Sequence, residues 1–128
     1  ITNQVFPQVS IDESIVVASD SKWLNFMLGQ FVTNAVKYTF EKNKKIVVSA
    51  EKHGSTTVLT VQDEGIGIPK SDLSRVTKAF FTGENGRKTG ESTGMGLYLA
   101  KEICEKLGHT LNIESEVEKG TIVTITFK

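Results

Sequence analysis

The chain has 128 residues, 38% of them hydrophobic and 23% charged, with 15 basic and 15 acidic side chains, which favours one domain with its own core. The balanced charge excludes a global field for nucleic acid or an anionic membrane, so any anion site has to be built locally. No apolar run approaches the roughly 18 residues of a membrane span, and the single cysteine, Cys104, excludes an internal disulfide and suits a reducing cytoplasm.

In chain order, a start at Ile1 with no signal peptide points to a piece excised from a longer protein. The stretch "QVSIDESIVVAS" predicts a β-hairpin turning near Asp12–Ser14. In "DSKWLNFMLGQFVTNAVKYT", Leu24, Met27, Leu28, Phe31, Val32 and Ala35 recur at helical spacing, which predicts an amphipathic helix capped by Asp20 or Ser21. "KIVVSAEKHGSTTVLTVQD" predicts a second hairpin, turning at His53-Gly54. From Glu64 to Thr93 the chain is polar. A short helix is expected over Ser71–Ala79, and the rest reads as a long functional loop, a lid at about 70–93. "GMGLYLAKEICEKLG" predicts a helix with Leu97, Ala100, Ile103, Cys104 and Leu107 on one face and Gly108 as its stop. "HTLNIESEVEKGTIVTITFK" predicts a third hairpin, turning at Lys119-Gly120. The expected fold is α+β. It is a two-layer sandwich with a mixed, mostly antiparallel sheet covered on one face by about three helices, in one domain over residues 1–128.

Three stretches carry chemistry. In "TVQDEGIGIPK", strand alternation puts Asp63 on the same face as Leu59 and Val61. That face is the core, where a carboxylate is costly unless something hydrogen-bonds it. Gly65 and Gly67 permit positive φ and close backbone approach, so a ligand with an amino donor would account for both features; a strand closed by a glycine-rich turn is the plainer meaning. In "LGQFVTNAVKYT", Gln30, Asn34, Lys37 and Tyr38 share one helix face, offering a neutral oxygen ligand, an ammonium and a ring, although solvated faces often carry such residues. In "STGMGLYLAK", two glycines open a helix whose free N–H groups suit phosphate. The dinucleotide fingerprint fails here, because a long loop precedes Gly94 and Leu99 stands at the third glycine position. A Walker A loop fails too, because "GENGRKT" has no Gly-Lys-Ser/Thr and no leading strand.

In order, these segments resemble the N box, the first glycine box and the second glycine box of the ATP-binding catalytic domain of bacterial sensor histidine kinases. That domain has the Bergerat fold, shared with gyrase and MutL. "VTKAFFTGENGR" resembles the F box and lid between them. The wording of "FTGENGR" and "STGMGLYLAK" is similar to the Gram-positive intramembrane-sensing type, which responds to bacitracin and other antimicrobial peptides. The resemblance implies roles for individual residues. Asp63 accepts the adenine amino group, and Gly65 and Gly67 let the chain pass the base. Asn34 ligates Mg²⁺, Lys37 contacts phosphate, and Tyr38 packs near the adenine or ribose. Gly94, Gly96 and Leu97 aim backbone N–H groups at the phosphates. Phe80 or Phe81 anchors the lid, and Arg87 is the candidate γ-phosphate contact, with Lys88 as its substitute. Ile68, Thr93 and Met95 complete the implied nucleotide-binding positions, and Gln30, Asn34, Lys37 and Arg87 the implied catalytic set.

Two departures stand out. Gln30 occupies a position that is Asn in many such kinases and a Glu base in the hydrolytic relatives. A neutral amide takes no proton, so efficient hydrolysis by water is not expected. Ser92 replaces a glycine of the second glycine box, which should stiffen the lid hinge slightly. His53 and His109 lie outside any helical H-E/D-x-x-x-P context and read as surface histidines. The resemblance therefore implies a catalytic half that binds Mg-ATP, while the phosphoacceptor histidine lies on a dimerisation domain absent from these residues. The implied whole is a membrane-bound kinase with a cytoplasmic catalytic domain, a response regulator downstream and no nucleic-acid partner, the fragment itself being monomeric. An anti-sigma-type serine kinase of the same fold, or a nucleotide-binding interaction module without transfer, are the competing readings.

Overall fold

The computed structural model describes residues 8–11, 15, 17, 19–37, 39, 44–73 and 96–127. Its elements run β1 (Gln8–Ser10), α1 (Ser21–Lys37), β2 (Ile46–His53), β3 (Thr56–Asp63), α2 (Lys70–Leu73), α3 (Gly96–Leu107), β4 (Thr110–Glu116) and β5 (Gly120–Phe127). The strands form one sheet in the order β1-β2-β3-β5-β4, with β1–β2 parallel and every other pairing antiparallel.

Register explains where the core sits. Successive side chains on a strand alternate between faces, so cross-strand partners form rows. One row is Ala50, Leu59, Ile125 and Leu111; the next is Val48, Val61, Val123 and Ile113. Both are apolar and lie under the helices, and most of their members are buried. The third row, at the end of the sheet, is Ile46, Asp63, Thr121 and Ser115. There the pattern turns polar without leaving the covered face.

The helices form where the periodicity placed them. The Asp20 carboxylate accepts from the backbone N–H of Lys22 (3.0 Å) and of Trp23 (3.2 Å), so Asp20 is the cap of α1. Met27, Phe31 and Ala35 on α1 are buried against the sheet, and Ala100 and Cys104 on α3 complete the layer. Gly108, at φ 77, ends α3: the His109 N–H donates to the Cys104 carbonyl at 2.8 Å, closing a left-handed glycine cap.

Two expectations need correction. The first hairpin is not seen: β1 pairs in parallel with β2 and the described residues Ile15 and Val17 are not in a strand, while the expected turn at Asp12–Ser14 lies outside the described residues. Parallel partners need a crossover, which α1 supplies. His109 is not a free surface histidine either. It is half-buried, its Nε2 lies 2.9 Å from the Ser19 hydroxyl, and its ring meets Phe127 edge-on with centroids 4.6 Å apart. Burial holds its pKa below the usual imidazole value. His53 is exposed, 3.1 Å from Glu51. The helix expected over Ser71–Ala79 is helical at Lys70–Leu73, and its remainder lies outside the described residues, as do lid positions 74–93.

Cys104 packs as its place on the helix face implied. Its thiol is 3.6 Å from the Met27 sulfur, and burial, with Glu105 adding to it, pushes its pKa up to about 11. A thiol with so little thiolate is a poor nucleophile. In the native protein Cys104 should therefore resist aromatic disulfide reagents at pH 7.5, reacting only at the rate of unfolding. Stoichiometric colour within minutes before denaturant is added would contradict this packing.

Candidate nucleotide site

The polar row becomes a site because a turn is locked beneath it. β3 ends at Asp63, whose side chain is buried on the covered face opposite Ile46 and Thr121. Its Oδ1 accepts from the Gly65 N–H at 2.9 Å. Burial raises its pKa above the ordinary carboxylate value, and the backbone N–H groups of Gly65 and Thr121 pull the other way without cancelling it. Glu64 fixes the neighbouring strand end: its N–H donates to the Lys45 carbonyl (3.0 Å) and its Oε1 accepts from the Lys45 N–H (2.7 Å).

The β4–β5 turn clamps the glycine-rich segment beyond Asp63. The Glu118 N–H donates to the Ile66 carbonyl at 2.9 Å, and the Ile68 N–H donates to the Ser115 hydroxyl at 2.8 Å. Gly67 has φ 75, and a Cβ there would collide with the Glu116 carbonyl; a Cβ at Gly120, φ 123, would collide with the Asp63 carbonyl. The bare backbone is thus needed first for protein-on-protein contact. This corrects part of the expectation. Among the described residues, positive φ occurs at Gly54, Gly67, Gly108, Gly120 and Glu118 and not at Gly65, whose part is to donate to Asp63.

The remaining candidates divide. Gln30 and Asn34 are half-buried on α1, the helix that packs on β3. Lys37 is the last residue of α1, Gly96 the first of α3, and Leu97 is half-buried in its first turn. Asp63, Gly65, Gly67 and Ile68 are brought together by the clamp. Tyr38, Phe80, Phe81, Arg87, Lys88, Thr93, Gly94 and Met95 lie outside the described residues, as does Ser92. Sequence reasoning missed Ser115, Gly120 and Thr121. The available signal was that Thr121 shares a strand face with Val123 and Ile125, a hydroxyl pointing into a core.

The donor set fits a purine nucleotide. Asp63 is a desolvated acceptor, and the salt bridges among the described residues do not involve it. Thr39, just past α1, is fully buried with its hydroxyl unpartnered, a cost that a bound group or water would remove. No group of three or more His, Cys, Asp or Glu able to hold a metal occurs among the described residues. A hard cation here would instead take Asn34 with phosphate and water oxygens, a donor set that suits Mg²⁺.

Comparison with known proteins settles the family. Residues 19–128 match the model of the histidine kinase-, DNA gyrase B-, and HSP90-like ATPases. The chain belongs to this family. Among curated relatives it is 44% identical over 127 residues to the sensor histidine kinase YxdK of Bacillus subtilis, covering 99% of this chain and 39% of that protein. It is 41% identical over 115 residues to the sensor protein BceS of the same species, covering 90% of this chain and 34% of that protein. It is also 36% identical over 111 residues to the sensor protein kinase GraS of Staphylococcus aureus, covering 87% and 32%. The chain thus spans about a third to two-fifths of these relatives. Among solved structures, the catalytic domain of the histidine kinase ThkA superposes with a TM-score of 0.80 at 22% identity, over 97% of this chain and 78% of that one. The Acinetobacter baumannii histidine kinase AdeS gives 0.75 at 25%, over 98% and 55%. The five-stranded mixed sheet with its helices on one face is the ATPase fold of this family.

The corner makes two outcomes measurable. Gly67→Ala should cost about 2 kcal/mol or more, because strained φ and a backbone collision act together. Gly54→Ala, at φ 65 with open space around it, should cost less. Thermal melts of the two variants compare them directly; equal losses would mean that the clamp is slack. An acid whose folded pKa exceeds its unfolded value binds more protons in the native state. Its contribution is present below the unfolded pKa and is lost as pH rises through the folded one. The nucleotide-free Asp63→Asn protein should therefore gain relative to wild type as pH rises above the ordinary carboxylate value of about 4. A gap that moves in the opposite direction would refute the desolvation account.

Proposed function

We infer that this chain is the catalytic ATP-binding domain of a sensor histidine kinase. It binds Mg-ATP and donates the γ-phosphate to a histidine on a separate dimerisation domain in two-component signalling. The observation that carries this reading is the buried Asp63 carboxylate, poised to accept and walled by the glycine turn. Asp63 takes the adenine amino group, and Gly65, Gly67 and Ile68 line the base. Asn34, Lys37 and the backbone at Gly96 and Leu97 serve the phosphate side. The start of α3 adds the partial positive charge of a helix N-terminus. Tyr38, Phe80, Phe81, Thr93, Gly94 and Met95 belong to the same proposed pocket, with Arg87 or Lys88 at the γ-phosphate.

Phosphoryl transfer asks the protein mainly for positioning and charge neutralisation. Bound Mg²⁺ supplies charge neutralisation at the phosphate oxygens, and Asn34 is the residue that would hold it. Lys37 adds a point charge, and closure of the lid excludes water. Gln30 can orient but not deprotonate, which favours transfer to an imidazole over hydrolysis. In the transfer, the bond from the γ-phosphorus to its bridging oxygen breaks and a phosphorus–nitrogen bond to the imidazole forms, ADP leaving. Among the described residues no helix is long and apolar enough to cross a membrane. The reading puts this domain on the cytoplasmic side of a membrane sensor of the antimicrobial-peptide type.

Incubating the chain with labelled ATP, Mg²⁺ and a helical histidine-bearing dimerisation domain of a relative tests the reading. Acid-labile, base-stable label on histidine is expected; label on serine would favour the anti-sigma type, and binding without transfer the interaction module. Asp63→Asn should weaken ATP binding by about tenfold or more, the loss of one charge-assisted hydrogen bond. Unchanged affinity by calorimetry would remove Asp63 from the adenine. Asn34→Ala should flatten the Mg²⁺ dependence of ATP affinity, and an unaltered metal titration would free Asn34 from the ligand role.

A further inference from the structure

Ser115 sits at a junction that the nucleotide reading leaves unused. Its half-buried hydroxyl lies 2.8 Å from each of three groups: the Ile68 N–H, the Gly120 carbonyl and the Thr121 hydroxyl. A serine hydroxyl has one proton and two lone pairs. The Ile68 N–H can only donate, so it takes one lone pair. The Gly120 carbonyl can only accept, so it takes the proton. The remaining lone pair leaves one role for Thr121: its hydroxyl donates to Ser115. Once its proton is committed, Thr121 Oγ1 can only accept. Thr121 stands directly across from Asp63 on the same face of the sheet, where paired Cβ atoms lie about 5 Å apart. The end of the polar row therefore presents two neighbouring side-chain acceptors, with no side-chain donor hydrogen-bonded between them among the described residues.

Resting on the nucleotide reading above, we propose that Ser115 is a positioning residue for base selectivity: by holding the Thr121 proton it makes the Asp63–Thr121 corner acceptor-only. Such a corner takes a purine with an amino group at position 6 and rejects one with a carbonyl there. The carbonyl would face two sets of lone pairs, and the N1–H that such a purine also carries lies one ring atom away, reaching an acceptor only if the base shifts against the turn; a buried acceptor left unpaired weakens binding more than a lost contact does. Ser115 need not touch the nucleotide. It acts through Thr121 and, by way of the Ile68 N–H, holds the turn that walls the base.

The test is calorimetry of the chain with ATP and with inosine triphosphate, which carries a carbonyl in place of the amine and a hydrogen on N1. Wild type should prefer ATP. In Ser115→Ala the Thr121 hydroxyl regains its proton and can turn it toward a carbonyl, so the ATP-to-ITP affinity ratio should fall about tenfold. Ser115→Thr, which keeps a hydroxyl, should restore most of the ratio. A merely structural Ser115 would weaken both nucleotides together, and a ratio unchanged within about twofold in Ser115→Ala overturns the proposal. Should Ser115→Ala fail to fold, Thr121→Val removes the acceptor itself, and an unchanged ratio there overturns it as well. Wild type that binds neither nucleotide would sink the ATP reading and this inference with it. Wild type that binds ATP, with ratios unmoved by the variants, would sink only the role of Ser115.

Discussion

A carboxylate in the covered face of a sheet has to be held, because water no longer solvates it. Asp63 meets that constraint in part, through the Gly65 N–H and the backbone of Thr121, yet burial still dominates its titration. The surrounding architecture reflects this incomplete satisfaction. The turn after Asp63 folds back on itself, two glycines at positive φ remove the side chains that would obstruct it, and the β4–β5 turn closes over it. The corner has little freedom to relax around the charge. On the proposed reading, its unmet capacity to accept hydrogen bonds is what a nucleotide would use, stability being given up locally for binding.

The rest of the domain supplies the stiffness this requires. Two apolar cross-strand rows lie under α1 and α3, so the polar row is the terminal rank of a packed layer and not an isolated loop. α1 connects the core to the site: Met27, Phe31 and Ala35 bury against the sheet, while Gln30 and Asn34 on the same helix stay half-exposed. A rotation of α1 that improved access to Asn34 would pull Phe31 out of the core.

Local chemistry was legible in the sequence; pairing across the sheet was not. α1 and α3 were readable because their apolar spacing and caps are short-range signals, and Asp20 and Gly108 act as such residues should. β2–β3 and β4–β5 were readable because glycine turns separate alternating runs. The first hairpin failed because Val and Ile favour strands without choosing a partner, and β1 instead joins β2 in parallel across the whole of α1. Asp63 was visible as an acid in an apolar alternation. Thr121 and Ser115 were not, since a threonine or serine in a strand is ordinary until register sets it beside that acid. Gly67 was recognised for its backbone freedom, but the neighbour that demands it, the Glu116 carbonyl, lies far along the chain, in the last hairpin.

The His109 contact has a mechanical consequence. Its ring joins Ser19, just before α1, to Phe127, at the end of β5. Phe127 pairs with Thr57, at the opposite end of β3 from Asp63, and about six residue steps of strand make that roughly 20 Å. The segment leading into α1 and the end of β5 are thus pinned at one pole, with the acceptor corner at the other. Ser19 is thereby tethered, through one imidazole, to the strand end that lies the length of β3 away from the acceptor corner.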